Sequence, residues 1–215
     1  DGREYAGLRL ILAMGVVDTF PEVDGFFDHY GTSVFHCATC DGYEAQGRSV
    51  VILGWGEQVV AFAVGMLDWA DRLTVVTAGR RLEGDDRHRR LLARHDIGLV
   101  TDDAVEFVGE PGALRGVRLA GGHVLDADLV FFSIAHRPRL ELAHQLGCDT
   151  DESDCLCVDR DGRTSVEGCY AAGDITPGFQ LVPVAVGEGA AAGVAAAISL
   201  QGEGGAPTSP PPAPD

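Results

Sequence analysis

Two thiols separated by two residues stand at Cys37 and Cys40, in the stretch Phe35-His36-Cys37-Ala38-Thr39-Cys40-Asp41-Gly42-Tyr43-Glu44. At that spacing the thiols can close a small disulfide ring with little loss of loop entropy. A Cys at the start of a helical turn also has its thiolate stabilised by backbone N–H groups, and the thiolate is the form that exchanges with disulfides. Asp41 adjoins the second thiol, where a carboxyl held partly out of water stays protonated and can give its proton to the thiolate released when the disulfide opens. The same spacing supplies half of a structural zinc site, which needs four Cys or His ligands. Cys155 and Cys157 are one residue apart, Cys148 and Cys169 are isolated, and His36 only adjoins the first pair, so no second half-site is present and no metal is expected. Redox chemistry is the leading reading, with zinc and an inert thiol pair as alternatives.

A second chemical signal follows. Ser49-Val50-Val51-Ile52-Leu53 is a continuous β-branched and aliphatic run, as expected of a parallel strand buried on both faces. It leads directly into Gly54-Trp55-Gly56-Glu57-Gln58-Val59, a helix from about Glu57 to Trp69, and a strand from Leu73 to Thr77. A strand before the glycines and a helix after them point to a pyrophosphate site at the helix N-terminus; an ordinary strand-to-helix turn is the alternative. Val59 replaces the third Gly or Ala of such turns, and Glu57 places a negative charge near the phosphates. Thr77 stands where an acidic residue would bind the ribose 2′-hydroxyl of NAD. Arg80 and Arg81 follow where a 2′-phosphate would be met, which favours NADPH. The alternative makes Arg80, Arg81, Arg87, Arg89 and Arg90 a solvated helix face. The third signal is Gly168-Cys169-Tyr170-Ala171-Ala172-Gly173-Asp174-Ile175-Thr176, a short strand that delivers Gly173 and Asp174 at its carboxyl end, where parallel sheets place ligands. Close backbone approach plus one acceptor suits a sugar-like hydroxyl, with a plain loop Asp as the alternative.

The elements that must position these residues are legible in outline. Leu8 to Leu12 is a strand-like run, and Val16 to Pro21 leads into a loop that reads as the passage between two domains. After a helix over Asp85 to His95, the segments Ala104–Val108, Leu114–Leu119 and His123–Leu125 read as a β-meander, and Leu129–Phe132 returns to the central sheet. Leu181 to Leu200 is the most apolar long stretch, but Pro183, Glu188 and many Gly and Ala residues favour a buried, closely packed helix over a membrane span. The formal charge is −17, with 16 Lys and Arg against 33 Asp and Glu, so neither nucleic acid nor an anionic membrane is an expected partner. Six cysteines and no secretory segment fit a reducing, cytoplasmic setting. The chain opens at Asp1 without a Met and in mid-pattern, which points to further sequence upstream.

Taken in order, Cys37-Ala38-Thr39-Cys40-Asp41-Gly42, the Gly54-x-Gly56 unit, Ile134-Ala135-His136-Arg137-Pro138 and Ala171-Ala172-Gly173-Asp174 resemble low-molecular-weight thioredoxin reductases and their flavoprotein relatives. Gln180-Leu181-Val182 and the residues to Gly189 are similar to that family's closing flavin-site segment. The resemblance implies an α/β protein of two Rossmann-like, three-layer ββα domains, with an NAD(P)H domain (31–137) inserted into an FAD domain (1–30 and 138–200), and a disordered tail (201–215). No Gly-x-Gly-x-x-Gly precedes Leu8, so the FAD domain is expected to lack its N-terminal ADP-binding segment. Implied roles are Cys37 as the thiol that attacks the partner, Cys40 as the thiol facing the flavin, and Asp41 as proton donor. NAD(P)H falls to Gly54, Gly56, Glu57, Gln58, Arg80, Arg81 and Ile134, and FAD to Gly173, Asp174, Gln180, Leu181 and Val182. Electrons would pass from NADPH through FAD and the Cys pair to a thioredoxin-like protein or a small-molecule disulfide, in a homodimer whose domains rotate between steps. His36 and Gly42-Tyr43-Glu44 resemble the branch that includes FAD-dependent dithiol oxidases. A non-catalytic nucleotide-binding fragment is the reading from another class.

Overall fold

A computed structural model describes residues 2–134 and 136–201, so nearly all of the tail read as disordered lies outside the described residues. The chain divides into two compact units, one of Asp1–Asp18 with His136–Asp215 and one of Thr19–Ala135. Strands β1 (Leu10–Leu12) and β2 (Val16–Asp18) open the first unit. The second unit then runs through α1 (Phe26–His29), β3 (Val34–Phe35), α2 (Ala38–Asp41), β4 (Ser49–Leu53), α3 (Gln58–Gly65), β5 (Arg72–Val76), α4 (Asp86–Arg94) and β6 (Gly98–Val100). It continues through β7 (Ala104–Glu110), β8 (Ala113–Leu119), β9 (Val124–Asp126) and β10 (Leu129–Phe132). The chain then returns to the first unit with β11 (His136–Pro138), α5 (Glu141–Leu146), β12 (Cys169–Ala171) and α6 (Val182–Ser199).

The second unit is built on a parallel sheet in the order β3-β10-β4-β5-β6. Every residue of β4 and β10 is buried, because both faces of the sheet are covered and strand side chains alternate between them. Val50, Ile52, Val75 and Phe131 face α3 and α4. Val51, Leu53, Val130 and Phe132 face the antiparallel meander β7-β8-β9 through Phe107 and Val117. This is the three-layer ββα arrangement expected. Phe131 is fully buried; Phe131→Ala is expected to destabilise this unit by about 3–5 kcal/mol, seen as a lower midpoint in urea unfolding.

The unit boundaries correct the expected ones, 19–135 replacing 31–137. Residues 19–30 belong to the second unit because Asp24 exchanges backbone hydrogen bonds with Val105 and Phe107. Phe26, buried, also stacks on Tyr30 and packs against Phe107 and Phe132. Residues 136–138 belong to the first unit because β11 pairs antiparallel with β2.

In the first unit β1 and β12 form a two-stranded parallel sheet. Helix α6 meets it through a stripe of small residues, Ala192, Ala195 and Ala196, packed with Tyr170 and Ala172. The sequence favours a buried α6, but Val182, Val186 and Val194 on its opposite side are 80, 66 and 60% exposed. Among the described residues this sheet is two strands wide, and the alanine stripe is what α6 packs on it.

Candidate active site

Cys37 and Cys40 form a disulfide with their Cα atoms 5.3 Å apart, within the usual range. Cys37 caps the N-terminus of α2, and its Sγ accepts the N–H of Cys40 at 3.1 Å. When the disulfide opens, that N–H remains to stabilise a thiolate on Cys37. Both ends of the loop are anchored, by buried Phe35 on β3 and by buried Ala45. Gly42 lies under Trp69, where an added Cβ would come within 3.0 Å of the indole nitrogen. The pair itself stays accessible, Cys37 half-buried and Cys40 exposed, with half-buried Asp41 closing α2. Sequence reasoning missed the partner of His36: Tyr30 Oη lies 3.1 Å from its Nδ1.

The Gly54 turn leaves the carboxyl end of β4 beside β10, where the strand order reverses and sheets of this kind hold ligands. Gly54 donates its N–H to Val76, and an added Cβ would meet the Ser133 carbonyl at 2.7 Å and Val59 Cγ2 at 2.9 Å. Val59 is fully buried and fills the space that a third glycine would leave. Gly56 lies beneath the side chain of Gln58, and Glu57 and Gln58 are exposed at the start of α3. Ile134, half-buried, follows β10 next to Ser133. Arg80 and Arg81 sit in the loop after β5, not on α4, so the helix-face alternative holds only for Arg87, Arg89 and Arg90. The Arg80 guanidinium lies 4.0 Å from the Trp55 ring centroid. The Glu83 N–H bonds the Trp55 carbonyl at 2.7 Å, tying this loop to the Gly54 turn. Arg81 is exposed.

In the first unit Gly173 takes a positive φ of 80°, and Asp174 stands half-buried at the next position, just beyond β12. The turn is held from α6 by Glu188, whose Oε2 accepts the Gly173 N–H at 2.7 Å and the Thr176 hydroxyl at 3.0 Å. Glu188 was not singled out as a site residue, yet it is the one charge in an 18-residue helix, a signal visible in the sequence. Leu181 caps α6 and Val182 opens it, while the Gln180 amide reaches His136 Nε2 at 2.7 Å.

A two-unit α/β chain with a Cys-x-x-Cys disulfide beside a strand–Gly-x-Gly–helix turn has the build of a nucleotide-dependent disulfide oxidoreductase. Residues 1–189 match the model of the pyridine nucleotide-disulphide oxidoreductases, and the chain belongs to that family. It is 28% identical to the thioredoxin reductase of Rickettsia felis over 81% of this chain and 59% of that protein. Against the thioredoxin reductase of Treponema pallidum it is 30% identical, over 90% of this chain and 64% of that one. Among solved structures, that of HlmI matches with a TM-score of 0.83 at 30% identity, over 90% of this chain and 60% of that chain. The chain thus spans about three-fifths of the length of the curated relatives it matches. Use of FAD and NADPH goes with this family, and the residues present fit both groups. Gly54 lets the turn pack directly on the Ser133 carbonyl and Val59, so that the chain enters α3 tightly enough for a pyrophosphate to approach the helix N-terminus, and Asp174, next to the Gly173 turn that Glu188 holds, offers a carboxylate acceptor for a flavin's sugar-like chain.

Proposed function

We propose that this chain serves a flavin-dependent thiol–disulfide oxidoreductase that passes electrons from NADPH through FAD and the Cys37–Cys40 disulfide to a partner disulfide. The observation that carries it is the accessible disulfide with a backbone amide aimed at Cys37 Sγ, in the unit that also carries the Gly54 turn. When bound, the flavin would supply two-electron transfer from the nicotinamide to the disulfide. The Cys37–Cys40 bond then opens, the Cys40 N–H holds Cys37 as thiolate, and Asp41 supplies a proton to Cys40. Cys37 attacks one sulfur of the partner disulfide and a mixed disulfide forms as the other sulfur leaves as thiolate. Cys40 next returns its proton to Asp41 and attacks Cys37 as thiolate, the internal disulfide closes again, and the partner departs with two thiols, one protonated from Asp41 and one from water. Asp174 and the backbone of Gln180 to Val182 would hold the flavin, and Arg80 and Arg81 would meet the 2′-phosphate of NADPH.

The test is the visible absorption spectrum of the purified chain after incubation with FAD and desalting. A retained flavin band that bleaches anaerobically on adding NADPH is the expected result. Oxygen uptake driven by a dithiol without NADPH would replace the reading with a dithiol oxidase. Failure to retain flavin would leave a nucleotide-binding module.

A further inference from the structure

We propose that the surface running from Cys37 through an exposed aromatic and acidic basin docks a cationic protein segment whose disulfide is flanked by basic and apolar side chains. This rests on reading Cys37–Cys40 as the exchanging pair and adds the chemistry of its partner. From His36, the residue before Cys37, a chain of ring contacts leads outward. His36 meets Tyr30 with centroids 6.2 Å apart, Tyr30 meets Phe20 at 5.3 Å, and Phe20 meets Phe27 at 5.8 Å. Phe27 is 75% exposed, which is unusual for a ring in a well-packed cluster. Phe20 and Phe27 share an open basin of about 590 Å³ with the carboxylates of Glu22, Asp24 and Asp28, all exposed. Beyond the disulfide in sequence, Tyr43 stands 69% exposed, edge-on to Trp69, next to Glu44.

The charge of the segment that carries this surface is one-sided: no Lys or Arg occurs from Thr19 to Gly47, while Glu22, Asp24, Asp28, Asp41 and Glu44 all fall there. An apolar floor rimmed by carboxylates suits ammonium or guanidinium groups carried beside an apolar side chain. The rings attract the cation through their faces, and the carboxylates steer its approach. An anionic disulfide would be repelled by the same rim. The exchange balances without any further reagent: the Cys37 and Cys40 thiols become a disulfide, the partner disulfide becomes two thiols, and two electrons and two protons pass to the partner.

The experiment uses the chain reduced with dithiothreitol and freed of it, mixed in stopped flow with disulfide-cyclised peptides that differ only in carrying Lys or Glu beside an identical Phe-Cys segment. Released peptide thiol is the readout. At low salt the Lys peptide is expected to be reduced about tenfold faster or more, with the ratio falling towards one at about 0.5 M salt. Phe27→Ala should slow the Lys peptide while leaving reduction of glutathione disulfide unchanged. Because a net −17 steers any cation, the triple variant Glu22→Gln, Asp24→Asn, Asp28→Asn is set against Glu141→Gln, Glu152→Gln, Glu167→Gln in the other unit, which removes the same charge. The local triple should lose most of the preference and the other triple little. Equal rates for the two peptides, or equal losses in the two triples, would overturn the docking surface while leaving the exchanging pair intact. If no disulfide, glutathione disulfide included, is reduced, the exchange reading falls and the docking surface with it.

Discussion

Replacing either Cys37 or Cys40 with Ser is expected to lower disulfide reduction on the order of 10³-fold or more, the scale on which loss of a covalent nucleophile acts. The loss is chemical. Ser is a better N-cap than Cys, so in Cys37→Ser the hydroxyl takes over the hydrogen bond from the Cys40 N–H, and α2 is retained. The two variants should nevertheless fail differently. With Cys40→Ser the remaining Cys37 thiolate still attacks a partner and then waits, because nothing resolves the mixed disulfide. Intact-mass measurement should find the partner adduct. With Cys37→Ser the remaining thiol lacks that N–H bond, and little adduct should form. An adduct on Cys37→Ser but not on Cys40→Ser would reverse the two roles, and full turnover by either variant would falsify the redox assignment.

The parts of this architecture that sequence patterns could carry are those whose burial is settled by the residues themselves. Val50 to Leu53 and Leu129 to Phe132 are apolar without interruption, which only a strand covered on both faces tolerates, and both lie centrally in the parallel sheet. Asp85 opens α4 as a capping residue, with its carboxylate accepting the N–H groups of Arg87 and His88. What the sequence hides depends on distant partners. Residues 19–30 read as a linker because Phe26 packs against Phe107 and Phe132, side chains remote in sequence. The apolar composition of α6 predicts burial, yet composition does not say how wide a sheet lies beneath it. Glu188 and the Trp55–Arg80 stack are side-chain pairings between loops and helices, and no local periodicity encodes them. At the site, the Cys pair was legible from spacing alone, whereas the aromatic surface leading away from it becomes visible only when Tyr30 and His36 meet in space.

Gly54→Ala should weaken NADPH binding by more than about tenfold and lower the stability of the second unit by about 1–3 kcal/mol, the range for overpacking a filled site. The added methyl would stand 2.7 Å from the Ser133 carbonyl oxygen. That oxygen cannot retreat freely, since the Ser133 N–H bonds the Leu53 carbonyl at 2.8 Å and fixes the end of β10 against β4. On its other side the methyl meets Val59 Cγ2 at 2.9 Å, in a fully buried, β-branched side chain with little rotamer freedom. The turn itself must therefore shift, and with it Trp55 and the start of α3, the groups that would receive the pyrophosphate. Gly56→Ala provides the contrast, because the nearest atoms to its methyl all belong to the exposed, flexible side chain of Gln58, which can swing aside. Titration calorimetry with NADPH, with thermal unfolding in parallel, separates the two effects. If Gly54→Ala binds NADPH as tightly as the parent while its melting point falls, the glycine serves only packing, and the pyrophosphate must be held away from this turn.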